Sequence, residues 1–197
     1  MNDGRYNKKQ EWQPYGCMMH NYSEIDVKRC FKLVHFITSR YNQITFVGDS
    51  RLFHLYGAFI KSVNSKFSFK HNSTQNYDEA RLGLKVQYLH FPRLSDNVNA
   101  NISHWKVDKD PPSLLVLGFG LESLLNTNGS LISLQHFKYI LTKFIPTIDA
   151  LVNRGVKVLW ALQEPINIFK RKAWKGFLNN SVIDLFNNAA IEVSCFK

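Results

Sequence analysis

The stretch from Gln43 to Gly57 constrains the fold more than any other part of this sequence. Its first five residues, Gln43–Val47, are mostly β-branched or apolar, which is typical of a buried strand. Gly48-Asp49 interrupts that run, and apolar residues then recur at helical spacing: Leu52, Phe53, Leu55, Tyr56, Phe59, Ile60 and Val63. The pattern predicts a strand that passes directly into a helix, with Ser50 at the turn.

A serine at such a turn has two interpretations. It lies beside backbone N–H groups that lack intrahelical partners, near the positive end of the helix dipole, and this environment stabilises an oxyanion. The same Gly48-Asp49-Ser50 run also suits a simple helix cap, because Asp and Ser are favoured caps and Gly is favoured in turns. Leu52 stands where Gly-x-Ser-x-Gly needs its second glycine, which disfavours the α/β-hydrolase elbow.

The rest of the chain alternates strand and helix patterns. Strands are predicted at 43–47, 83–91, 113–119 and 156–162, and helices at 23–40, 50–63, 130–154 and 182–193, with weaker helical patterns at 99–107 and 170–178. Pro146 is expected to kink or divide its helix. Residues 1–22 and 64–81 are polar and are expected to be irregular. The alternation predicts an α/β fold, with parallel strands and helices on both faces of the sheet.

In a parallel sheet, binding sites form where the carboxyl ends of the strands meet. Ser50, Gly118–Gly120 and Gln163–Pro165 each follow a predicted strand. We therefore expect these residues to share one edge of the sheet, called here the carboxyl edge.

The charge of the chain narrows the classes of partner. At 197 residues the chain is long enough for one three-layer domain, and its formal charge of +10 favours an anionic partner such as a phosphorylated small molecule, an acidic membrane or nucleic acid. The basic residues are spread out without a long run, so we expect a solvated basic surface rather than a nucleic-acid groove. Nucleic-acid binding stays a weaker alternative, which the salt dependence of binding would expose.

The sequence features that indicate the cellular compartment of the protein disagree with one another. The chain has no secretory signal and no apolar run that approaches the ~20 residues of a membrane helix. It nevertheless carries five glycosylation sequons, at Asn21, Asn72, Asn101, Asn128 and Asn179. Cys17 and Cys30 are spaced for a local disulfide, with Cys195 left over, although three free cysteines are the alternative. A lumenal fragment without its targeting segment reconciles these features.

The run Phe46-Val-Gly-Asp-Ser-Arg51 resembles block I of the SGNH, or GDSL-type, esterase and acetyltransferase superfamily. A closer resemblance is to the lumenal domain of the sialic acid O-acetyltransferase family, and it extends over nearly the whole chain through Pro14–His20, Leu114–Gly118, Trp160–Pro165 and Asp184–Ala190. It implies a three-layer, flavodoxin-like SGNH fold. The chain would then be one catalytic domain over 1–197, truncated at both ends, with a segment and helix at 1–40 and an α/β core at 41–197.

The resemblance also implies a reaction. Ser50 would attack acetyl-CoA, the acyl donor, and then pass the acetyl group to a hydroxyl of CMP-sialic acid. The full-length protein would be anchored in the Golgi membrane by segments absent here, with this domain in the lumen. Asp49 would order the turn, and the backbone N–H of Gly118 would point into the oxyanion hole, unless Gly118 only ends its strand. No Gly-x-Asn supplies a side-chain oxyanion donor.

The sequence departs from the family at the catalytic base. The superfamily takes its histidine from a C-terminal Asp-x-x-His, and none of the seven histidines here has Asp or Glu three residues before it. His54 lies one helical turn from Ser50, but a histidine at such a place is more typical of surface or packing. Arg51 either holds phosphates of the donor or is a solvated residue at the helix start. We therefore expect a fragment that is a poor catalyst by itself.

Other functions are kept as alternatives. The chain is either a non-catalytic remnant that binds a glycan or protein partner, or an O-acetyltransferase or esterase acting on another polysaccharide. No metal-ligand spacing and no glycine-rich phosphate loop occurs in the sequence.

Overall fold

The computed structural model describes residues 4–6, 12–14, 22–69, 74–120, 130–165 and 180–195. Its strands are β1 Gly4–Tyr6, β2 Trp12–Pro14, β3 Asn42–Gly48, β4 Gln75–Glu79, β5 Leu84–His90, β6 Leu114–Gly118 and β7 Lys157–Trp160. Its helices are α1 Glu24–Thr38, α2 Ser50–Val63, α3 Asp96–Ser103, α4 Leu131–Asn153 and α5 Asn180–Cys195. Single 3-10 turns cover Ala80–Leu82 and His104–Lys106.

A five-stranded sheet forms the centre, in the order β4-β5-β3-β6-β7. β3 pairs in parallel with β5 and β6, and β6 pairs in parallel with β7, whereas β4 runs antiparallel along β5. The register places Gly48 opposite both His90 and Gly118. The prediction of an α/β fold with a mostly parallel sheet is therefore confirmed.

Two regions that were expected to be irregular contain strands. β4 lies within 64–81 and has a single buried residue, Tyr77. An edge strand with one buried position lacks the alternation of apolar and polar residues by which a strand is recognised in a sequence. β1 and β2 form a separate two-stranded antiparallel ladder within the first 22 residues. The irregular assignment was therefore wrong for β1, β2, β4 and the 3-10 turn at Ala80–Leu82, whereas residues 64–69 are irregular as predicted.

The predicted helices are present with small changes in their bounds. Ser23 caps α1 with a capping box, in which its hydroxyl accepts the N–H of Asp26 while the Asp26 carboxylate accepts the N–H of Ser23. α4 runs through Pro146 as one helix, so the proline does not divide it. Pro146 lies on the exposed side, where water can satisfy the carbonyl group that loses its helical partner. The helical pattern predicted at 170–178 lies outside the described residues.

The sheet separates two layers of apolar side chains. α2 packs on one face through Phe53, Tyr56 and Ile60, against Phe46 and Tyr88 of the strands. On the other face α3, α4 and α5 contribute the buried residues Val98, Ile102, Phe137, Leu141, Phe144, Ile183 and Phe186. The described helices therefore cover both faces, as the three-layer prediction requires. None of the described helices combines the length and apolar character needed to cross a membrane.

The tightest packing in the sheet is at the carboxyl ends of β3 and β6. A Cβ atom on Gly48 would overlap the backbone carbonyl of Gly118 and would lie 2.9 Å from a methyl group of Leu52. Gly118 packs in turn on the same leucine, with 3.1 Å between a built Cβ and Leu52 Cδ1. Only glycine fits at residue 48, because the obstacle is backbone and cannot turn aside.

We predict that Gly48→Ala lowers the free energy of unfolding by about 3 kcal/mol, since β3 and β6 must separate to admit the methyl group. Gly57→Ala is the matched control. Its Cβ would meet only Phe69 at 3.7 Å, and alanine favours the helix by up to about 1 kcal/mol. Urea unfolding of both variants measures the difference, and equal stabilities would contradict the described strand contact.

Candidate active site

Ser50 is the first residue of α2, and Asp49 is its cap. The fully buried Asp49 accepts the N–H groups of Arg51 at 3.1 Å and Leu52 at 3.5 Å on its Oδ1. Its own N–H donates to the carbonyl of Gly118 at 3.2 Å. The structure thus assigns the capping role to Asp49 and not to Ser50. The N–H of Ser50 lies at the positive end of the same helix.

A buried hydroxyl group supports the turn from below. The Tyr88 oxygen lies 3.1 Å from the carbonyl oxygen of Gly48 and 2.9 Å from that of Asp49. It also lies 2.8 Å from Nδ1 of His90. One hydroxyl proton cannot be donated both to a carbonyl and to the ring, so the arrangement favours a proton on Nδ1 that is donated to the Tyr88 oxygen. In that tautomer, Nε2 is the basic nitrogen of His90.

A second buried tyrosine lies in the same aromatic layer without such contacts. The rings of Tyr56 and Tyr88 are 5.6 Å apart, and both side chains are fully buried. The Tyr56 hydroxyl has no hydrogen-bond partner in the described part of the chain. Burial raises the pKa of Tyr56 to about 12, and Tyr77 adds to the effect. This layer therefore contains one hydroxyl that supports the turn and one that costs stability.

A cleft of about 500 Å³ opens beside the start of α2, and we call it the Arg51 cleft. Arg51, His54 and Leu55 line one wall, and Gly118 with Ala161–Glu164 lines the other. The Arg51 guanidinium donates to the carbonyl of Glu164, which joins α2 to the segment after β7. Burial lowers the pKa of Arg51, while the negative charges of Asp49 and Glu164 oppose that shift. The cleft thus combines a cation and an imidazole with an apolar wall.

Gln163 stabilises the far wall of the Arg51 cleft. Its N–H donates to Oδ1 of Asn187 at 2.8 Å, and its carbonyl accepts from Nδ2 of Asn187 at 2.9 Å. Its buried side chain packs over Gly120, whose φ of +144° suits glycine. The side-chain oxygen Oε1 has no partner within the described ranges. Gln163 Oε1 is therefore a buried acceptor behind this wall, and no residue of the described ranges donates to it.

A second cleft, of about 520 Å³, lies on the other side of the turn, and we call it the Arg93 cleft. Phe91–Ser95 and the start of α4, including His136, line it. The N–H of Phe91 donates to the carbonyl of Gly48 at 2.9 Å, just as Gly118 accepts from Asp49 on the opposite side. Both clefts therefore contain a residue bonded to the Gly48-Asp49 turn. Ser50 itself lines neither cleft, and its neighbour Arg51 lines the first.

The structure brings together the residues that sequence reasoning placed at the carboxyl edge. Ser50, Gly118–Gly120 and Gln163 all follow parallel strands there, and His54 and Arg51 face the Arg51 cleft. Within the described residues, no group of three or more side chains of His, Cys, Asp and Glu is arranged to hold a metal ion. The roles of Ser50, Asp49 and Gly118 in catalysis stay predictions.

The other predicted sites are only partly described. Asn101 is exposed on α3, while Asn21, Asn72, Asn128 and Asn179 lie outside the described residues. Cys30 is exposed on α1, and Cys17 also lies outside the described residues, so their disulfide stays a prediction.

Sequence reasoning missed Tyr88, His90 and the pair Gln163–Asn187. Tyr88 and His90 read only as alternate residues of a strand. The contacts of the Tyr88 hydroxyl with the turn reach 39 and 40 residues back along the chain, and His90 contacts Tyr88 itself. The one available signal was the place of His90 at the carboxyl end of its strand, where sites form in parallel sheets. Asn187 gave no signal, because a single asparagine in a helical pattern is unremarkable.

This chain has a relative among proteins with a named activity. It is similar to the N-acetylneuraminate (7)9-O-acetyltransferase of Danio rerio, with 28% identity over 192 residues. That match covers 97% of this chain and 23% of the relative, so the chain spans less than a quarter of that protein's length. No family model matches the chain. No solved structure gives a significant match.

The two tyrosines of the aromatic layer provide a matched pair of substitutions. We predict that Tyr88→Phe lowers the free energy of unfolding by about 1 kcal/mol, because it removes the buried hydroxyl that contacts the turn and His90, while the carbonyl groups of Gly48 and Asp49 keep the N–H groups of Phe91 and Phe53. Tyr56→Phe should raise the free energy of unfolding by about 1 kcal/mol, since it removes an unsatisfied hydroxyl. Urea denaturation measures both changes, and a loss of stability in Tyr56→Phe would reveal a partner for that hydroxyl.

The pKa of Tyr56 predicts a loss of stability in alkali. An unfolded tyrosine ionises near pH 10.0, whereas Tyr56 in the fold keeps its proton up to about pH 12. The contribution of the protonated Tyr56 side chain to the free energy of unfolding is therefore fully present below pH 10.0. It is lost as the pH rises towards 12, because the unfolded state then binds fewer protons than the folded state. Tyr56→Phe should lose less stability than the wild type over this range in urea titrations, and an equal loss in both proteins would contradict the prediction.

Proposed function

We propose that this domain is a serine-dependent O-acetyltransferase that moves acetyl from acetyl-CoA to a hydroxyl of sialic acid, with CMP-sialic acid as the acceptor. The observation that carries the proposal is the position of Ser50 at the start of α2, directly after its cap Asp49 and next to Arg51, which lines a cleft. The similarity to a protein named N-acetylneuraminate (7)9-O-acetyltransferase supports the choice of acceptor.

The turn suits the chemistry of acyl transfer. Ser50 Oγ attacks the thioester carbonyl, the C–S bond breaks, and coenzyme A leaves as the thiol once its sulfur has taken a proton. The acceptor hydroxyl then attacks the acetyl-serine ester, which returns the proton to Ser50. In both steps the negative charge on the carbonyl oxygen is stabilised by the N–H of Ser50 and the positive end of α2. The Asp49 carboxylate accepts the next two N–H groups, those of Arg51 and Leu52.

Two histidines of the described region lie on elements that meet at this turn, and we propose them as sources of the base that takes the serine proton. His54 lies one helical turn after Ser50 and lines the Arg51 cleft. His90 lies opposite Gly48 in the sheet, and its contact with Tyr88 leaves Nε2 as the base. Neither belongs to an Asp-x-x-His sequence, so a histidine from the longer protein remains a third source of the base.

The two clefts fit two substrates with phosphate groups. Arg51 and His54 in one cleft, and Arg93 and His136 in the other, provide cations or imidazoles next to apolar walls. A nucleotide or a coenzyme needs this combination, because it carries phosphate together with an apolar base or chain. The wider proposal places the domain in the Golgi lumen, as part of a longer membrane-anchored protein.

Acyl trapping tests the proposal directly. We predict that the chain incubated with labelled acetyl-CoA and quenched in acid carries one acetyl group on the tryptic peptide Tyr41–Arg51. Ser50→Ala should abolish the label, because it removes the only nucleophile proposed there. Ser62→Ala is the matched control on the same helix, where the hydroxyl only bonds the carbonyl of Phe59 at 2.7 Å, and it should label normally. Mass spectrometry of the peptide measures the result.

Substitution of the histidines then identifies the base. His54→Gln and His90→Gln should differ in the pre-steady-state rate at which acetyl-serine forms. Only substitution of the residue that acts as the base should slow this step. If the wild-type chain acquires no acetyl label, with or without added imidazole, the proposal that this chain is an enzyme is wrong. Binding of CMP-sialic acid without acetylation would favour the alternative of a glycan-binding remnant.

A further inference from the structure

One side of α1 exposes large apolar side chains to solvent. Phe36 is 83% exposed, Ile37 70%, Ile25 62% and Leu33 58%. At 100° per residue these positions fall on one side of the helix, opposite Val27 and Phe31, which pack towards the core. No residue of α1 is buried. We call the exposed side the α1 outward face, and define it by Ile25, Leu33, Phe36 and Ile37 with the cations between them, Arg29 and Lys32.

The charge of the α1 outward face is positive. Arg29 and Lys32 are exposed and lie between the apolar residues on the helix surface. Of the two acidic residues of α1, Glu24 pairs with Lys28 at 2.6 Å on the far side of the helix. Asp26 falls on the outward side, where its carboxylate is bound in the capping box with Ser23 and its charge offsets one of the two cations, which leaves a net charge of about +1. Two tyrosines flank the helix, Tyr22 at 68% and Tyr41 at 39% exposure, and Lys85 lies 4.6 Å above the Tyr41 ring.

We propose that the α1 outward face binds the surface of an anionic lipid bilayer. Such a surface accepts the two kinds of side chain at once, because the apolar groups enter the boundary of the acyl chains while Arg and Lys meet lipid phosphates and carboxylates. The tyrosines at both ends of α1 suit the headgroup region, where amphipathic rings are favoured. The mode of binding is a helix lying in the interface and not one crossing it, and the proposal does not depend on acetyl transfer.

A second copy of the chain fits the α1 outward face less well. In a symmetric dimer the same face meets itself, so Arg29 and Lys32 of one copy would lie near those of the other. Like charges held in a low-dielectric contact are destabilising, whereas an anionic surface neutralises them. The formal charge of +10 on the whole chain also favours an anionic surface over a second copy of the chain.

Vesicle binding tests the proposal. We predict that the chain co-sediments with vesicles of phosphatidylcholine and phosphatidylserine but not with phosphatidylcholine alone, and that added salt weakens the binding. Arg29→Gln with Lys32→Gln should lower the partition coefficient about 30-fold, because each cation near such a surface contributes roughly a factor of five. Phe36→Ser with Ile37→Ser should lower it at least about tenfold.

Matched controls keep the result interpretable. Lys106→Gln with Lys109→Gln removes the same charge from exposed positions away from α1, and Val107→Ser with Ile132→Ser removes apolar side chains that are 85% and 77% exposed. A change in the controls equal to that in the α1 variants would overturn the proposal, because binding would then be a property of net charge alone.

Two further measurements can also overturn the proposal that the α1 outward face binds lipid. A fall in melting temperature for Phe36→Ser with Ile37→Ser, beyond that of Val107→Ser with Ile132→Ser, would mean that another part of the chain covers the face. A dimer in analytical ultracentrifugation that dissociates on the α1 substitutions would assign the face to a second copy. A monomer that binds anionic vesicles only through the α1 outward face supports the proposal.

Discussion

The position of Ser50 depends on the close approach of two strand backbones. Gly48 and Gly118 lie opposite each other where β3 and β6 end, with no room for a side chain on Gly48. The next N–H, from Asp49, then reaches the carbonyl of Gly118. This bond turns the chain out of the sheet and presents the Asp49 carboxylate to the first N–H groups of α2. The helix start is therefore set by backbone contact in the sheet, and the serine is placed as a consequence.

The apolar layer under α2 also fixes the position of the turn before Ser50. Tyr88 is buried among Phe53, Tyr56 and Phe46, yet its hydroxyl reaches the two carbonyl groups at the turn. Packing of the ring thus fixes where a polar group lies, which is a more rigid support than a loop would give. The Arg51 contact with Glu164 provides a second link, since it holds the segment after β7 close to the helix. The carboxyl edge is consequently supported from three strands and one helix.

The sequence was sufficient to predict the features that depend on local patterns. The four parallel strands, the helix that begins at Ser50, and the meeting of Ser50, Gly118 and Gln163 at one edge follow from apolar periodicity and from the rules of parallel sheets. β4 was missed because its five residues bury only Tyr77 and gain their structure from pairing with β5. The supporting contacts of Tyr88 and Gln163 were missed for a related reason, since they join residues 24 to 40 positions apart and leave no local trace. The passage of α4 through Pro146 depends on which side of the helix meets solvent, which the packing decides.

The two proposed surfaces lie at opposite ends of the sheet, and this arrangement is consistent with both. The Glu24 carboxylate at the start of α1 accepts the N–H of Ser65, just after α2 ends, at 3.4 Å. At the other end of α1, the His35 ring packs against Gly83, whose carbonyl accepts the N–H of Asn42 at 2.7 Å. These contacts place α1 near the amino edge of the parallel strands, whereas Ser50 and both clefts lie at the carboxyl edge. A domain resting on lipid through the α1 outward face would therefore direct its clefts away from the bilayer. Nucleotide and coenzyme substrates carry phosphate and are repelled by an anionic surface, so they are most accessible on the side that faces water.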